Sequence, residues 1–496
     1  MNAPQRHGMG RSQNSHHLRL GNFGKLFPCL STWAQDFGIE GEQHQQEVIN
    51  IMTAIGGPGG IMHDISGSSG DSQIPAAYTF FAQFVDHDIT LDAESQLNSS
   101  PLDTAGIRSL PNLRSASLDL DSVYGFGPDV SPYLYRTEGT DTGFLATGSD
   151  VDGVENPNDV PRTAQGVALI GDFRNDENIF LSQMHLLFLR FHNRLRSTQN
   201  FDDAQREVQY HYQYIVLYDL LRRVCDPCVY NFALERICQN ASSQSGTDPS
   251  YPSRFESLVD ESERVIMPVE FSGAAYRFGH TMVRSVYPVN RDYPSVEIFD
   301  ERLRTTGFRQ LSPDLTVDWR FLLDLEEYHP CVFSRRLDPL LANELINLPV
   351  PVVEQGSPRT EHSLAFRNLL RGYVFGLPSG QTLATQLRTV GYGELINENP
   401  DLQLEELIRD LDVETQYCDQ LIEHTPLFLY LMREAEILRG GNHLGPVGSA
   451  ILMEVFGAMF VHQATFLSED NWTPDKSVTQ GSNELTLADL VRFALS

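Results

Sequence analysis

The stretch that decides the fold reads Ala82-Gln83-Phe84-Val85-Asp86-His87-Asp88-Ile89-Thr90, with three adjacent ionisable side chains in an otherwise apolar run. Pro75 precedes it and predicts that a helix begins there, because proline favours the first helical turn. On this helix Gln83 and His87 are four residues apart and share one face, whereas Asp86 points about 100° away around the axis. The stretch therefore predicts either a helix that directs an imidazole and two carboxylates at separate targets, or a polar helix end that meets solvent.

The overall composition is that of an ordinary globular protein, with 41% hydrophobic and 21% charged residues in a chain of 496. No apolar run approaches the roughly 20 residues that span a bilayer. The formal net charge of −30 argues against nucleic acids and anionic membrane surfaces as partners, since both bind basic patches. Residues 1–20 contain no apolar segment typical of a signal peptide, which predicts cytoplasmic residence or leaderless secretion. Nothing in the sequence indicates the oligomeric state.

Two of the six cysteines, Cys225 and Cys228, have the Cys-x-x-Cys spacing of redox motifs and half zinc sites. No second pair follows at zinc-ribbon distance, and no thioredoxin-like sequence surrounds them. We therefore expect a turn beside a helix, with two sulfurs that are buried or locally bridged.

Oxygen-bearing side chains recur at every second position in Ser115-Ala116-Ser117-Leu118-Asp119-Leu120-Asp121. Calcium binds about six to eight oxygen ligands, which an extended loop with alternate residues turned inward can supply. The spacing is not that of an EF-hand, and an edge strand of alternating polarity is the competing interpretation. A metal site here requires another carboxylate from elsewhere in the chain, for which Asp88 is the candidate.

Three further segments carry polar groups at the start or on the face of a predicted helix. Arg174 and Glu177 immediately precede a strong helical periodicity, at a position where the helix dipole favours acidic residues. His280 lies on a largely apolar helix that Pro268 is expected to begin, and Asn368 lies on another helix. Each segment alone has an ordinary structural explanation, so a functional role depends on the rest of the chain.

Helical periodicities outnumber all other patterns along the chain. One long helical stretch is predicted for residues 203–238, ending around the cysteine turn, and the C-terminal third is again helical. Apart from short extended pieces, no alternating strand series, internal repeat or low-complexity tract occurs. The sequence thus predicts a mainly α-helical protein with few short strands, organised as a flexible N-terminal tail at 1–22 and one large domain at 23–496.

Taken in order, these segments resemble the peroxidase–cyclooxygenase superfamily, the animal-type haem peroxidases typified by myeloperoxidase and lactoperoxidase. The resemblance is closest to their single-chain bacterial members and extends from near Asn22 to the C-terminus. The matching blocks are IPAAYTFFAQFVDHDIT (74–90), SLDLDSVYG (117–125), GDFRNDE (171–177), MHLLFLRFHNRL (184–195), YRFGHTMV (276–283), RNLLRGYVFGLPSGQ (367–381) and LGPVGSAILMEVFGAMF (444–460).

The resemblance implies catalytic roles on the two sides of a haem b group. On the peroxide side, His87 corresponds to the distal histidine that transfers protons, Arg174 to the distal arginine, and Gln83 to their neighbour. On the other side, His280 corresponds to the proximal histidine that ligates the iron, and Asn368 to the residue that orients it.

The same resemblance implies contacts to the haem periphery and to calcium. Asp86 and Glu177 match the carboxylates that form ester links to haem methyl groups in the mammalian enzymes, and Arg277 belongs to the haem pocket. The implied Ca²⁺ ligands are Asp88, Ser115, Ser117 through its backbone carbonyl, Asp119 and Asp121.

Together these features imply a haem peroxidase that reduces H₂O₂ through a ferryl intermediate and oxidises small anions or phenolic donors. A neutral imidazole suits proton transfer near physiological pH, and an arginine remains charged in a dry cleft. Asn178 stands where myeloperoxidase has a methionine linked to its haem. We therefore expect bromide, iodide, thiocyanate or phenols as donors rather than chloride.

Two alternative functions remain open at this point. Fatty-acid dioxygenases of the same superfamily use a tyrosine three residues before the proximal histidine, where this chain has Arg277, with Tyr276 one position away. The other alternative is a non-catalytic scaffold that binds haem and calcium. The presence of both His87 and Arg174 argues against a scaffold, which needs no acid–base pair.

Overall fold

The computed structural model describes residues 21–92, 97, 100–136, 143–150, 156–241, 258–261, 264–325, 330–350, 352–409, 411, 413–469 and 471–496. Residues 1–20, most of the predicted tail, lie outside this description. Gly21 and Asn22 already belong to a strand, so the packed chain begins two residues before the predicted boundary. Across the described residues the buried hydrophobic side chains form one contiguous core, while the division into tail and domain stays a prediction.

Helices dominate the regular structure, which confirms the mainly α-helical fold class. None of the described helices is long and apolar enough to cross a membrane. The α-helices are α1 (Trp33–Phe37), α2 (Gln45–Gly56), α3 (Ala77–Ile89), α4 (Thr104–Ser109), α5 (Asp121–Tyr124), α6 (Ile179–Arg196), α7 (Phe201–Ile215), α8 (Leu221–Val224), α9 (Pro227–Ala241), α10 (Val269–Gly273), α11 (Gly279–Met282), α12 (Asn343–Ile346), α13 (Leu364–Val374), α14 (Gly380–Leu387), α15 (Leu404–Ile408), α16 (Thr415–Glu423), α17 (Leu427–Arg439), α18 (Pro446–His462) and α19 (Leu487–Leu495).

Short strands connect distant parts of the chain. They are β1 (Gly21–Gly24), β2 (Asp71–Pro75), β3 (Pro111–Asn112), β4 (Met267–Pro268), β5 (Val286–Tyr287), β6 (Val296–Glu297) and β7 (Phe333–Arg335). The central strand β1 pairs antiparallel with β3 and parallel with β4, whereas β2–β7 and β5–β6 form antiparallel pairs. At the centre of the helical core, α18 is buried on nearly every side and packs against α9 and α17.

The prediction that α3 begins at Pro75 is wrong, because the helix begins at Ala77. Residues 71–75 form β2 and pair with β7, which lies far away in the sequence. A proline is tolerated in a small two-stranded sheet, where its missing N–H need not interrupt a ladder. The proline therefore ends a strand instead of beginning a helix.

The packing of α3 places its last turn against the rest of the core. Phe84 stacks on Phe188 of α6 with the ring centroids 4.5 Å apart. The helix ends at Ile89, so His87 and Asp88 both lie in its final turn. Both side chains are buried, which excludes the interpretation of a polar helix end that meets solvent.

The helical stretch predicted over 203–238 comprises α7, α8 and α9, and it continues past the cysteine turn to Ala241. A π-helical turn at Val216–Leu220 joins α7 to α8, and a turn at Cys225 and Asp226 separates α8 from α9. At this second break the Asp226 carboxylate accepts the backbone N–H of Cys228 at 2.8 Å, as a cap at the start of α9. Cys225 is buried, whereas Cys228 is exposed and both are free, so the expectation of two buried or bridged sulfurs is wrong.

The helix predicted to begin at Pro268 is also divided. It forms α10 and α11, joined by a 3₁₀ turn at Ala275–Phe278. The break lies at Ala274, whose backbone angles of φ −141° and ψ −65° are not helical. His280 therefore lies in one short turn of helix rather than on a long apolar helix.

Candidate active site

One cavity of about 540 Å³ brings together most of the residues predicted for the site. This volume lies in the range of cofactor pockets, roughly 300–1,000 Å³. Its walls include α3, the turn before α6, the α10–α11 segment and α13. The predicted residues that line it are Gln83, Asp86, His87, Arg174, Glu177, Arg277 and His280.

His87 lies in the last turn of α3 and is 5% exposed. Its Nδ1 lies 2.9 Å from Oδ1 of Asn175, so Nδ1–H donates to that oxygen and Nε2 keeps a lone pair. Burial, and then the nearby Arg174 guanidinium, lower the pKa of His87 to about 4. The imidazole is therefore neutral near physiological pH, as a proton acceptor must be.

Arg174 lies beside His87 on the turn that leads into α6. Its Nη2 donates to the Asp172 carboxylate at 2.7 Å and to the carbonyl oxygens of His87 and Thr90 at 3.1 and 2.7 Å. Although burial raises it, the pKa of Asp172 is held well below its usual range by Arg174 and Arg114. These contacts hold the guanidinium at the cavity wall and leave its Nη1 outside the pairing.

Gln83 and Glu177 connect α3 to the same turn. Nε2 of Gln83 donates to Oε2 of Glu177 at 2.9 Å. Burial raises the pKa of Glu177 to about 7. Asp86 also lines the cavity, where its Oδ1 accepts the hydroxyl of Thr90 at 3.0 Å. Both carboxylates that were predicted to meet the haem edge thus line the same cavity.

The backbone around Glu177 is held by a neighbouring segment that contains Gly307 and Phe308. Their N–H groups donate to the carbonyl oxygens of Glu177 and Asp176, both at 2.8 Å. A β-carbon on Gly307 would lie 1.5 Å from the Asp176 carbonyl oxygen. Only glycine permits this approach of the two backbones.

His280 occupies another part of the cavity wall, on α11. Its Nδ1 accepts a hydrogen bond from the side-chain amide of Asn368 on α13, at 2.9 Å. A half-turn of this amide places its oxygen there instead, so that Nδ1–H donates and Nε2 carries the lone pair that a metal ligand needs. Burial, and then Arg277, lower the pKa of His280 to about 3, which keeps the ring neutral.

Three carboxylates converge beside the end of α3. Oxygen atoms of Asp88, Asp119 and Asp121 lie within 4.8 Å of one another. Burial, and then repulsion from Asp119, raise the pKa of Asp121 to about 7, and burial raises that of Asp119 to about 6. The hydroxyl of Ser115 joins the group by donating to Asp119 at 2.9 Å. Charges this close favour a bound cation or protons.

The loop that carries this cluster forms no edge strand, contrary to the competing interpretation. It bends before entering α5 at Asp121. The amides of Gln463, Gln213 and Gln209 donate to the carbonyls of Ala116, Leu118 and Asp119 at 2.6, 3.0 and 2.6 Å. The carbonyl of Ser117, a predicted calcium ligand, is not used by these glutamines.

Leu120 shows how tightly this loop is constrained. It is fully buried and has a φ of 57°, a left-handed conformation that is strained for a bulky residue. Its N–H donates to Oδ2 of Asp88 at 3.1 Å. This hydrogen bond links the strained backbone of Leu120 to the carboxylate of Asp88, the residue that follows His87.

Arg114 connects the carboxylate cluster to Arg174. Its Nη1 donates to Asp121 at 3.2 Å, and its Nε donates to Asp172 at 2.8 Å. Because Asp172 also holds Arg174, one continuous chain of ion pairs runs from the loop to the cavity wall.

Residues 97–312 match the family model described as animal haem peroxidase. Over these residues the chain is similar to animal haem peroxidases. A peroxidase-like protein of Margaritifera margaritifera is 27% identical over 280 residues, which cover 45% of this chain and 33% of that relative. The chain therefore spans about a third of the length of this curated relative. The predicted superfamily is confirmed.

Two solved structures share the fold of this chain. Peroxidase A from Dictyostelium discoideum has a TM-score of 0.59 at 16% identity, covering 96% of this chain and 93% of that one. The fatty acid α-dioxygenase of Oryza sativa has a TM-score of 0.55 at 14% identity, covering 96% and 79%. At these identities the likeness shows a common fold and does not distinguish between the two activities.

The cavity of this chain suits the haem that this family implies. His87 and His280 bring two neutral imidazoles to a space of cofactor size. Arg277, Arg367 and Arg371 also line it, and guanidinium groups pair well with carboxylates such as the haem propionates. These side chains therefore fit haem, because one imidazole could bind the iron and the other could contact a ligand of the iron.

Three residues that hold the site together were not predicted from the sequence. Asn175 bonds to His87, Asp172 holds the arginine, and the hydroxyl of Ser122 donates to Asp88 at 3.0 Å. All three are at most 1% exposed. They lie inside the blocks GDFRNDE and SLDLDSVYG, next to the residues that were assigned. The available indication was a polar residue within two positions of an assigned one.

Proposed function

We propose that this chain is a haem peroxidase that reduces H₂O₂ and oxidises bromide, iodide, thiocyanate or phenolic donors. The observation that supports this most strongly is one cavity lined by His87 with a free Nε2, by the fixed guanidinium of Arg174, and by His280. Haem, when bound, supplies the two electrons that peroxide takes up, and the donor replaces them. For bromide the balance is H₂O₂ + Br⁻ + H⁺ → HOBr + H₂O.

In this proposal His87 moves the proton. Its Nε2 accepts the proton of one peroxide oxygen and returns it to the other, which leaves as water when the O–O bond breaks. Because Nδ1–H is bonded to Asn175, the lone pair of Nε2 remains available for this transfer. A positioned acid–base group of this kind contributes about 10²–10⁴-fold to a rate.

Arg174 and Gln83 act beside His87. The guanidinium stabilises the negative charge that develops on the departing oxygen, and its contacts to Asp172 fix it before the reaction begins. Gln83, tied to Glu177, lines the same space and contacts the small anion or peroxide that enters it.

His280 is the proposed iron ligand, and Asn368 orients it. A neutral amide partner leaves the imidazole less basic than a carboxylate would, which favours a more positive iron potential. Asp86 and Glu177 form ester links to haem b in this proposal. Mass spectrometry of the denatured protein tests the links, and haem that is entirely free to extract contradicts them.

The proposed Ca²⁺ site comprises Asp88, Ser115, the carbonyl of Ser117, Asp119 and Asp121. The convergence of three carboxylates supports it. Since Asp88 directly follows His87, a cation held there fixes the end of α3 and hence the imidazole.

Asn178 supports bromide, iodide, thiocyanate and phenols as donors over chloride. Its side chain is engaged as the N-cap of α6, where it accepts the N–H of Leu181 at 2.9 Å. No thioether stands at this position to draw electrons from the haem. The donor class nevertheless remains part of the proposal and is measured directly.

The test uses the full chain loaded with haem and Ca²⁺. Peroxide-dependent oxidation of bromide, iodide, thiocyanate and guaiacol is measured for the wild type and for His87→Ala, each normalised to bound haem. We expect turnover by the wild type and a loss of about 10²–10⁴-fold in the variant, with the Soret band retained. Equal turnover by the two proteins overturns the assignment of His87.

Tyr276 supports fatty-acid dioxygenation as a second candidate. Its hydroxyl is buried without a hydrogen-bond partner among the described residues, and the residue lines the cavity. Oxygen uptake with linoleate that is lost in Tyr276→Phe, without peroxide-dependent dye oxidation, replaces the peroxidase proposal. A haem-loaded protein that turns over neither substrate class indicates a binding scaffold.

A further inference from the structure

A buried amide links two histidines behind the cavity. Asn175 is 0% exposed, and its Oδ1 lies 2.9 Å from Nδ1 of His87. On its other side, Nδ2 lies 3.1 Å from Nδ1 of His185, which α6 supplies. The proposed chemistry uses the bond between Asn175 and His87, but it leaves unexplained what orients Asn175 and what His185 does.

The hydrogen bonds of this group have a direction. An amide has one oxygen that accepts and one NH₂ that donates, so the choice at one end determines the other. With NH₂ donating to His185, the oxygen faces His87 and accepts its Nδ1–H. A half-turn of Asn175 reverses both bonds and moves the proton of neutral His87 to Nε2. The imidazole then has no lone pair available for the peroxide proton.

In this arrangement Nδ1 of His185 accepts from the Asn175 amide, and the proton of the His185 ring is on Nε2. The ring is fully buried and meets Phe84 edge-on, with the centroids 6.0 Å apart. Burial lowers the pKa of His185 to about 3, so the ring stays neutral and one nitrogen keeps a lone pair. Its Nε2 has no hydrogen-bond partner in the described part of the chain. A buried polar atom without a partner is uncommon, and here it suggests that the ring is retained for its bond to Asn175.

We propose that Asn175 and His185 form a directional hydrogen-bonded relay that holds His87 in the tautomer with a free Nε2. Both are positioning residues for peroxide cleavage, because neither reaches the reacting atoms except through His87. The inference rests on the proposed function of His87 as the base and extends it to the residues that determine its tautomer.

Three variants separate the parts of the relay. Asn175→Leu has a similar side-chain shape and removes both hydrogen bonds, whereas Asn175→Asp keeps an oxygen for Nδ1–H of His87. His185→Phe keeps a ring and removes the acceptor that directs the amide. The matched control is Asn193→Leu, which removes another α6 amide that bonds to the backbone of Leu145.

Two rates are measured on the haem-loaded proteins. One is the Soret change on mixing with H₂O₂, and the other is cyanide association with the ferric protein, since hydrogen cyanide must give up its proton to bind. Haem content, thermal midpoint and the KM for guaiacol serve as readouts that a purely structural defect alters. We expect Asn175→Leu to slow both rates about 10–100-fold, the loss typical of residues that orient a functional imidazole.

The order of the two rates among the variants identifies the relay. Asn175→Asp recovers most of both rates, His185→Phe falls between it and Asn175→Leu, and Asn193→Leu matches the wild type. Should Asn175→Leu fail to bind haem, the difference in rate between Asn175→Asp and His185→Phe still tests the relay. Wild-type rates in Asn175→Leu and His185→Phe, combined with slow rates in His87→Ala, overturn the relay and leave the proposed function standing. Wild-type rates in His87→Ala defeat the proposed function itself.

Discussion

The two histidines of the cavity are held in different ways. His87 lies in the last turn of a 13-residue helix. Its neighbour Asp88 accepts the backbone N–H of Leu120, and its own backbone carbonyl accepts Nη2–H of Arg174. His280 lies in a four-residue helix, and Asn368 bonds its ring. A base must keep its orientation without a bond to its target, so it needs a rigid surrounding structure. A metal ligand is fixed by the metal itself and needs only a partner for its second nitrogen.

The largest effect is expected at His280, the proposed iron ligand. His280→Ala removes the imidazole proposed to bind the iron, so we expect little stable haem and no measurable turnover. Haem content and the Soret band check this, and added imidazole should restore part of the spectrum. A variant with full haem content and the wild-type spectrum contradicts the assignment.

Arg174→Gln should affect the reaction without affecting haem binding. Removal of a fixed donor to developing negative charge costs about 10²–10³-fold in rate. The rate of the Soret change with H₂O₂, measured at equal haem content, tests this. Arg190→Gln is the control, since that guanidinium on α6 contacts Pro157 and Asn158 instead of the cavity. An equal loss in both variants would point to a general effect of charge.

Substitutions of Asn368 test the contact to His280, because they are expected to change haem binding and the iron reduction potential. We expect Asn368→Leu to weaken haem affinity or activity about 10-fold or more, because orienting partners of metal ligands typically contribute that much. Asn368→Asp should lower the iron reduction potential, since a carboxylate makes the imidazole more basic. Spectroelectrochemical titration checks the direction, and an unchanged or higher potential rules out the proposed contact.

The smallest effect is expected at Asp119, where the sign of the change in thermal midpoint should depend on whether Ca²⁺ is present. Asp119→Asn removes one negative charge from the cluster while keeping an oxygen for the N–H of Asp121. With a chelator present we expect the thermal midpoint to rise by roughly 1–3 °C, because repulsion falls by about 1 kcal/mol. In excess Ca²⁺ the midpoint should fall below that of the wild type, because bound cation stabilises the folded state. A shift of the same sign in both conditions indicates that no cation binds there.

The helices that carry local periodicity and caps were predictable from the sequence. Asn178 caps α6 and Ser379 caps α14, so the limits of those helices depend on neighbouring residues alone. The strand at Pro75 depends on pairing with β7, which has no local indication in the sequence. The break at Ala274 follows directly after Gly273, a residue that weakens helices.

The residues of the site divide in the same way, into those that the sequence indicates and those that depend on contacts in the folded chain. Resemblance to a family identified His87, Arg174 and Glu177, because those residue types recur in recognisable blocks. It did not identify Asn175, which lies between two of them, because its role depends on where two distant histidines meet in the folded chain.

Arg114 links the proposed calcium loop to the arginine of the cavity wall through ion pairs. It bonds to Asp121 in the proposed calcium loop and to Asp172, which holds Arg174. Calcium in the loop and a ligand beside Arg174 thus act on two ends of one chain of ion pairs. By thermodynamic linkage, the factor by which calcium changes the affinity for cyanide equals the factor by which cyanide changes the affinity for calcium. If calcium binds in the proposed loop, a calcium-dependent cyanide affinity would measure how strongly this chain of ion pairs couples the two sites.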